Sequence, residues 1–232
     1  MTAADSEIIE RTIRAGRALA AAGQQDMVWG HVALRDPDGR GVWMKASGWG
    51  YDEITPERVV LVGWDGSRLH GDGKVHIESH IHLEIMAARG DVTASVHAHP
   101  EAVNAFSALE VPLRAISHDG VPFADPQIPR TGLSGDLVFD AKRGRTLAAD
   151  LGSAPACLMP RHGLVAVGPS EAHAVMHAVL LDHACSAQLR AQSAGEITSY
   201  SDSTEVAEKL RHAWPDSQIE AGYAFLLRQA GF

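Results

Sequence analysis

The chain has 232 residues, of which 45% are hydrophobic and 21% charged, a composition typical of globular proteins. Its net charge of −9 and the lack of any basic run disfavour nucleic-acid binding, which depends on clustered Lys and Arg. The acidic N-terminus lacks the features of a signal peptide, and no run of about 18 apolar residues occurs, so we expect neither export nor a membrane span.

The first half of the chain predicts one helix followed by a β-meander. Apolar residues recur at helical spacing over residues 6–22, and Gly23 is placed to end that helix. Short β-rich runs with turn residues between them follow, at residues 28–36, 42–48 and 58–71.

The second half predicts helices alternating with short strands. Ser170 is the expected N-cap of the longest helix, over residues 170–194. The other predicted elements are a helix at 77–89, a strand at 92–99, a short helix at 104–108, loops with short strands at 111–129, a helical passage at 135–152, two strands around a turn at 156–168, and a tail at 201–231 that is polar first and then helical.

No repeat, low-complexity tract or linker divides the chain, so we expect one domain over residues 1–232. The two cysteines, Cys157 and Cys185, are far apart in apolar surroundings without a CxxC pair. This pattern favours reduced core thiols over a disulfide or a thiolate metal site and predicts a cytoplasmic protein.

His97 and His99 are the first candidate metal ligands. Side chains repeat with period two along a strand, so both imidazoles point to the same face. Two such donors suit a divalent cation if a distant segment supplies a third ligand, and His162, before a glycine at a turn, is the candidate. With thirteen histidines in the chain, half-buried polar roles are an equal alternative on spacing alone.

Glu78 precedes His97 by nineteen positions, at the start of the helix that leads into the His-x-His strand. Helix and strand can bring this carboxylate back over the metal, where it would serve as the general acid and base. The alternative is an acid that stabilises the helix N-terminus. His82, one turn further on, is interpreted as a structural neighbour.

Taken together, these segments resemble the class II aldolase/adducin family. The resemblance covers residues 13–195 and is carried by GHVALRD at residues 30–36, KASG at 45–48, ESHIHLEIMAARGDVTASVHAHP at 78–100, and RHG at 161–163. It implies that His97, His99 and His162 are metal ligands and Glu78 the catalytic carboxylate. It also implies an α/β fold, a three-layer α/β/α arrangement with a mixed, mostly antiparallel sheet, and commonly a homotetramer with active sites near subunit interfaces.

The chain departs from the sugar-phosphate members of that family at their phosphate site. His31 stands where they usually have Asn, and His76 and Ile77 stand where they have a Ser-Ser pair. Isoleucine cannot donate a hydrogen bond to phosphate, and imidazole is bulkier than the donor it replaces. A phosphorylated sugar is therefore disfavoured as substrate.

The Gly-His pair and the stretch at residues 29–48 resemble the family's decarboxylases of hydroxylated aromatic dicarboxylic acids, most of all those acting on 3,4-dihydroxyphthalate in phthalate catabolism. This resemblance implies a carbon–carbon lyase with His31, Ser47, Gly48 and His76 as candidate substrate contacts. Three imidazoles favour Zn2+, with Mn2+, Fe2+ or Co2+ as alternatives. Lys45 is expected to be an ordinary exposed strand lysine, with pairing to a substrate carboxylate as the alternative, and Arg161 has the same two interpretations.

Three other functions remain open at this point. A sugar-phosphate aldolase or epimerase would need phosphate donors that the chain does not obviously supply. A dehydratase would keep the same metal site. An adducin-like interaction module would be expected to lose ligands, whereas all four positions are filled.

Overall fold

A seven-stranded sheet forms the centre of the computed structural model, which describes residues 2–133 and 135–232. Its strand order is β4-β3-β2-β1-β5-β7-β6, and neighbouring strands pair antiparallel. A parallel bridge joins Arg130 to Leu158 beside the last strand. The strands are β1 (His31–Arg35), β2 (Gly41–Lys45), β3 (Val59–Gly63), β4 (Arg68–His70), β5 (Ala94–Ala98), β6 (Ala156–Met159) and β7 (Gly163–Gly168).

Helices cover both faces of the sheet, so the predicted three-layer α/β/α fold is confirmed. Helices α1, α3, α6 and α8 pack on one face, and α2 and α5 on the other. The helices are α1 (Ala3–Ala21), α2 (Ser79–Ala88), α3 (Glu101–Ser107), α4 (Val121–Ala124), α5 (Ala141–Leu151), α6 (Glu171–Ala194), α7 (Ser203–Ala213) and α8 (Asp216–Gln229).

Helix ends follow their capping residues. Thr2 and Asp5 form a capping box, so α1 begins three residues before the predicted start at residue 6. The Ser170 side chain accepts from the His173 amide, as predicted for the N-cap of α6. Asp140 caps α5 in the same way, so residues 135–140 of the predicted helical passage lie outside the helix.

Two of the predicted secondary-structure segments were wrong. The segment 111–129 contains a 3₁₀ turn at His118–Gly120 and helix α4, with no strand. The polar beginning of the tail is itself helical, because Asp202 caps α7 and Val206 supplies the buried side chain on an otherwise polar helix. Short amphipathic helices of this kind depend on tertiary packing, which local sequence patterns do not report.

Strand β2 is buried along its whole length, which overturns the expectation for Lys45. The Lys45 ammonium is fully buried and donates to the carbonyls of Val28 and Trp49. Burial lowers its pKa to about 8. Lys45 therefore links the loop that precedes β1 to the loop that follows β2.

Cys157 and Cys185 are both free and buried, as predicted. Among the described residues, none of the helices is both long and apolar enough to cross a membrane.

Candidate metal centre and active site

The antiparallel register of β1, β5 and β7 brings the predicted site residues to one edge of the sheet. His97 on β5 lies opposite His31 on β1, and Ala98 lies opposite Leu164 on β7. His99, just past the end of β5, is consequently beside His162, just before the start of β7. Helix α2 leads back into β5, so its first residues lie near the end of that strand.

Glu78, His97, His99 and His162 converge at this edge. Each contributes one possible ligand atom, and these atoms lie within 4.8 Å of one another. Glu78 Oε2 is 3.6 Å from His97 Nε2, and its Oε1 is 3.4 Å from His162 Nε2. The residues that the sequence singled out are thus brought together as a group able to hold a metal ion.

Hydrogen bonds fix which imidazole nitrogens face the centre of the group. His97 Nδ1 donates to the Leu164 carbonyl at 2.8 Å, and His99 Nδ1 donates to Asp26 Oδ2 at 3.1 Å. Carbonyl and carboxylate oxygens only accept, so both Nδ1 atoms carry a hydrogen. Burial and the nearby His97 lower the pKa of His99 to about 4, which keeps that ring neutral at pH 7.

The remaining nitrogens turn toward the centre of the group. His97 Nε2 and His99 Nε2 are 2.9 Å apart, and neither nitrogen of His162 has a hydrogen-bond partner among the described residues although both are buried. Buried ring nitrogens without a partner cost free energy, and a cation bound among them would satisfy them. The donor set therefore fits a divalent metal that binds imidazole.

Asp26 is a member of the site that sequence reasoning missed. It lies in the turn before β1, where its carboxylate orients His99. Such carboxylates fix the tautomer of a ligating imidazole and raise its basicity. A single aspartate in a turn carries no pattern that would distinguish it from an ordinary surface residue.

We expect Asp26→Ala to weaken metal binding by about 10- to 100-fold, because His99 loses the acceptor that orients it. Competition with a fluorescent chelator measures this affinity directly. Asp72→Ala is the matched control, because Asp72 is exposed and its substitution removes the same charge. Equal affinities for wild type and the Asp26 variant would show that the carboxylate does not support the ligand.

The start of helix α2 places Glu78, and a distant loop holds its carboxylate. Glu78 occupies the N-cap position of α2, and its Oε1 accepts from the Val138 amide at 2.8 Å. Burial alone would raise the pKa of this carboxyl, but contacts with His162 and His97 outweigh it and lower the pKa below its ordinary value. Glu78 is therefore ionised at neutral pH.

A cavity of about 600 Å³ opens beside the cluster. Ser47 and His76 line it, as their predicted role as substrate contacts requires. His31 does not: it is fully buried behind His76 and His97, at ring-centroid distances of 4.2 and 5.0 Å. Gly48 is exposed on the same loop as Ser47, outside the lining residues.

His31 belongs to a buried chain of polar groups. Its Nδ1 is 2.6 Å from His82 Nε2, and His82 Nδ1 is 2.8 Å from Ser95 Oγ. Burial lowers the pKa of His82 to about 3 and that of His31 well below its usual range. These neutral rings support the back of the site, which matches the structural role expected for His82.

The turn that carries His162 is built differently from the expectation of a sharp bend at the glycine. Arg161 has the left-handed conformation, with φ 66°. Gly163 is needed for close approach instead, because a Cβ there would lie 2.3 Å from the Ala98 carbonyl oxygen and 2.8 Å from His99 Cδ2. The absence of that side chain lets β7 lie directly against the end of β5.

Comparison with known proteins shows similarity to decarboxylases and to aldolases. The decarboxylase NovR of Streptomyces niveus is 33% identical over 175 residues, which are 74% of this chain but only 64% of that protein. A 3,4-dihydroxyphthalate decarboxylase of Arthrobacter keyseri is 30% identical over 216 residues, covering 83% of this chain and 82% of that protein. Thus the chain spans less than two thirds of NovR.

A solved structure, L-fuculose 1-phosphate aldolase from Glaciozyma antarctica PI12, superposes with a TM-score of 0.86 at 26% identity, over 99% of this chain and 92% of that one. The family description "Class II Aldolase and Adducin N-terminal domain" matches residues 10–189. The named decarboxylases and the aldolase share a type of chemistry, since both break carbon–carbon bonds. The chain belongs to the class II aldolase and adducin family and is similar to its aromatic-acid decarboxylases.

Proposed function

We propose that the protein is a metal-dependent decarboxylase of a hydroxylated aromatic dicarboxylic acid, converting 3,4-dihydroxyphthalate to protocatechuate in phthalate catabolism. The observation that carries the proposal is the wall of the cavity beside the metal-capable cluster. Trp29, Ile77 and Leu137 line it and are 49%, 60% and 41% exposed. Large apolar side chains exposed together at a polar site favour an aromatic ring over a hydrated sugar phosphate.

In this proposal, His97, His99 and His162 hold the cation, with Zn2+ favoured by three imidazole ligands and Mn2+, Fe2+ or Co2+ as alternatives. A bound cation supplies Lewis acidity, which stabilises the negative charge that develops when a carbon–carbon bond breaks. Asp26 and the Leu164 carbonyl keep two of the imidazoles in the tautomer that binds it.

Glu78 moves the proton. As a carboxylate it accepts the hydrogen of the phenol next to the departing carboxyl group, and it returns that hydrogen to the ring carbon bearing this carboxyl. The ring then holds a carbonyl β to the carboxylate. Cleavage of the bond to the carboxylate carbon releases carbon dioxide, and its electron pair restores the aromatic ring as a phenolate.

The substrate contacts remain proposals at Ser47, Gly48 and His76, which offer a hydroxyl, a backbone amide and an imidazole. His76 Nε2 is buried without a partner among the described residues, so a substrate oxygen can satisfy it. Because His31 lies behind His76, we propose that it orients this ring rather than touching the substrate.

An aldolase or epimerase acting on a small sugar phosphate is the second candidate, favoured by the close superposition on L-fuculose 1-phosphate aldolase. A dehydratase would use the same cluster. An adducin-like module is disfavoured, because all four cluster residues are present and converge. The cytoplasmic location and the homotetramer stay predictions.

The test is a substrate panel. We expect the Zn2+-loaded enzyme to consume 3,4-dihydroxyphthalate with formation of protocatechuate, and to lose this activity after chelation or in the His97→Ala variant. Small sugar phosphates, L-fuculose 1-phosphate among them, should be left intact. Cleavage of a sugar phosphate without turnover of the aromatic acid would replace the proposal with the aldolase.

A further inference from the structure

We infer that Arg161 determines specificity by binding the carboxylate that stays on the aromatic ring. This inference rests on the proposed function, because it assigns a subsite for that substrate. Arg161 lines the same cavity as His162, the residue that follows it, so its side chain borders the space that a ligand of the cluster would occupy.

The charges around the cavity leave Arg161 available to a ligand. Of the two acidic groups lining it, Asp26 is bound to His99, and Glu78 contacts Val138 and two imidazoles. Within residues 2–133 and 135–232, the Arg161 guanidinium makes no side-chain hydrogen bond or ion pair. A planar donor without a protein partner beside an apolar wall suits an aromatic carboxylate.

The backbone conformation of Arg161 supports a functional role for its side chain. At φ 66° the backbone of Arg161 lies in the left-handed region, which is unfavourable for any residue with a Cβ and favours glycine. The side chain also lies against the loop that serves Glu78: a Cβ added at Gly135 would be 3.2 Å from Arg161 Cβ and 3.5 Å from its Nε. An unfavourable conformation that places a cation at a cavity wall is typical of a functional residue.

The proposed substrate has two carboxylates, one that departs and one that stays on the ring, and Arg161 is assigned to the one that stays. The departing group loses its charge as carbon dioxide forms, so an ion pair to it would stabilise the substrate more than the transition state and slow the reaction. A guanidinium on the retained carboxylate keeps its contact throughout. The product protocatechuate keeps that group, whereas catechol has the two hydroxyls and no carboxylate.

Lys74 is the competing cation on the cavity wall. It lies on the exposed connection between β4 and α2 and offers a point charge rather than a two-pronged donor. The assignment to Arg161 therefore requires that Lys74→Gln affects carboxylate binding far less than Arg161→Gln.

Isothermal titration of the Zn2+-loaded enzyme with protocatechuate and with catechol tests the inference without turnover. We expect Arg161→Gln to weaken protocatechuate by about 10- to 100-fold and catechol by less than about twofold. Arg211→Gln, the same change at an exposed arginine of α7, should alter neither. Arg161→Gly should lose the same affinity while raising the melting temperature, because it relieves the backbone strain.

Three results would overturn the inference: unchanged protocatechuate affinity in Arg161→Gln, equal weakening of catechol, or a larger loss in Lys74→Gln. Failure of the proposed function would give a different result from failure of this inference. An enzyme that binds protocatechuate through Arg161 yet releases no carbon dioxide would reject the decarboxylase and retain the carboxylate site.

Discussion

We expect Glu78→Gln to lower the turnover of 3,4-dihydroxyphthalate by roughly 10³-fold, the middle of the range for loss of a general acid and base. Glutamine has nearly the same shape and can still accept from the Val138 amide, but it cannot take up and return a proton. Initial rates of carbon dioxide release at saturating substrate measure the effect.

Metal content separates this chemical role from a ligand role. We expect the Glu78 variant to keep its cation, since three imidazoles remain, and atomic emission on the purified protein gives the ratio of metal to chain. Glu84→Gln, the same substitution on the same helix, should retain activity, because Glu84 contacts only His80 and Arg145 among the ion pairs of the described residues. Full activity of Glu78→Gln would remove the carboxylate from the mechanism.

The second large effect is acid destabilisation of the metal-free protein. Burial is the main cause that lowers the pKa of His82 to about 3 and that of His177 to about 4, from 6.5 in an unfolded chain. Burial also lowers the pKa of His31. Below pH 6.5 the unfolded chain binds protons at these positions that the folded chain does not, so folding stability falls as pH falls.

Each of these histidines removes up to about 1.4 kcal/mol of stability per pH unit between 6.5 and its folded pKa. His82 and His177 together therefore cost about 4 kcal/mol at pH 5, a large part of an ordinary protein's stability. Urea unfolding of the chelated protein at pH 7, 6 and 5 checks this. A free energy of unfolding that stays constant or rises as the pH is lowered from 7 to 5 would contradict the buried, neutral state of the rings.

The part of the site that was predictable from sequence depends on strict geometric periods. Period-two alternation predicted His97 and His99 on one face of a strand at 92–99, and the observed strand β5 carries His97 and ends just before His99. The arrival of Glu78 and His162 at the same point was supplied by the family resemblance, because only the sheet register brings distant segments together. That one domain spans residues 1–232 stays a prediction.

The features that were missed depend on three-dimensional surroundings. Lys45 sits on a strand covered on both faces, so its burial follows from the neighbouring layers and from two backbone carbonyls that receive its ammonium. Asp26 acquires its role only because the turn before β1 meets the end of β5. Arg161 adopts a conformation that its residue type disfavours, which no propensity scale predicts.

The most direct test of the decarboxylase is conversion of 3,4-dihydroxyphthalate in D2O by the Zn2+-loaded enzyme, followed by mass spectrometry and NMR of the product. We expect carbon dioxide and protocatechuate with one deuterium at the carbon that lost its carboxyl group, because a deuteron exchanged through Glu78 replaces that group. Recovery of unchanged substrate, with metal bound and the fold intact, would contradict the account and return the aldolase to first place.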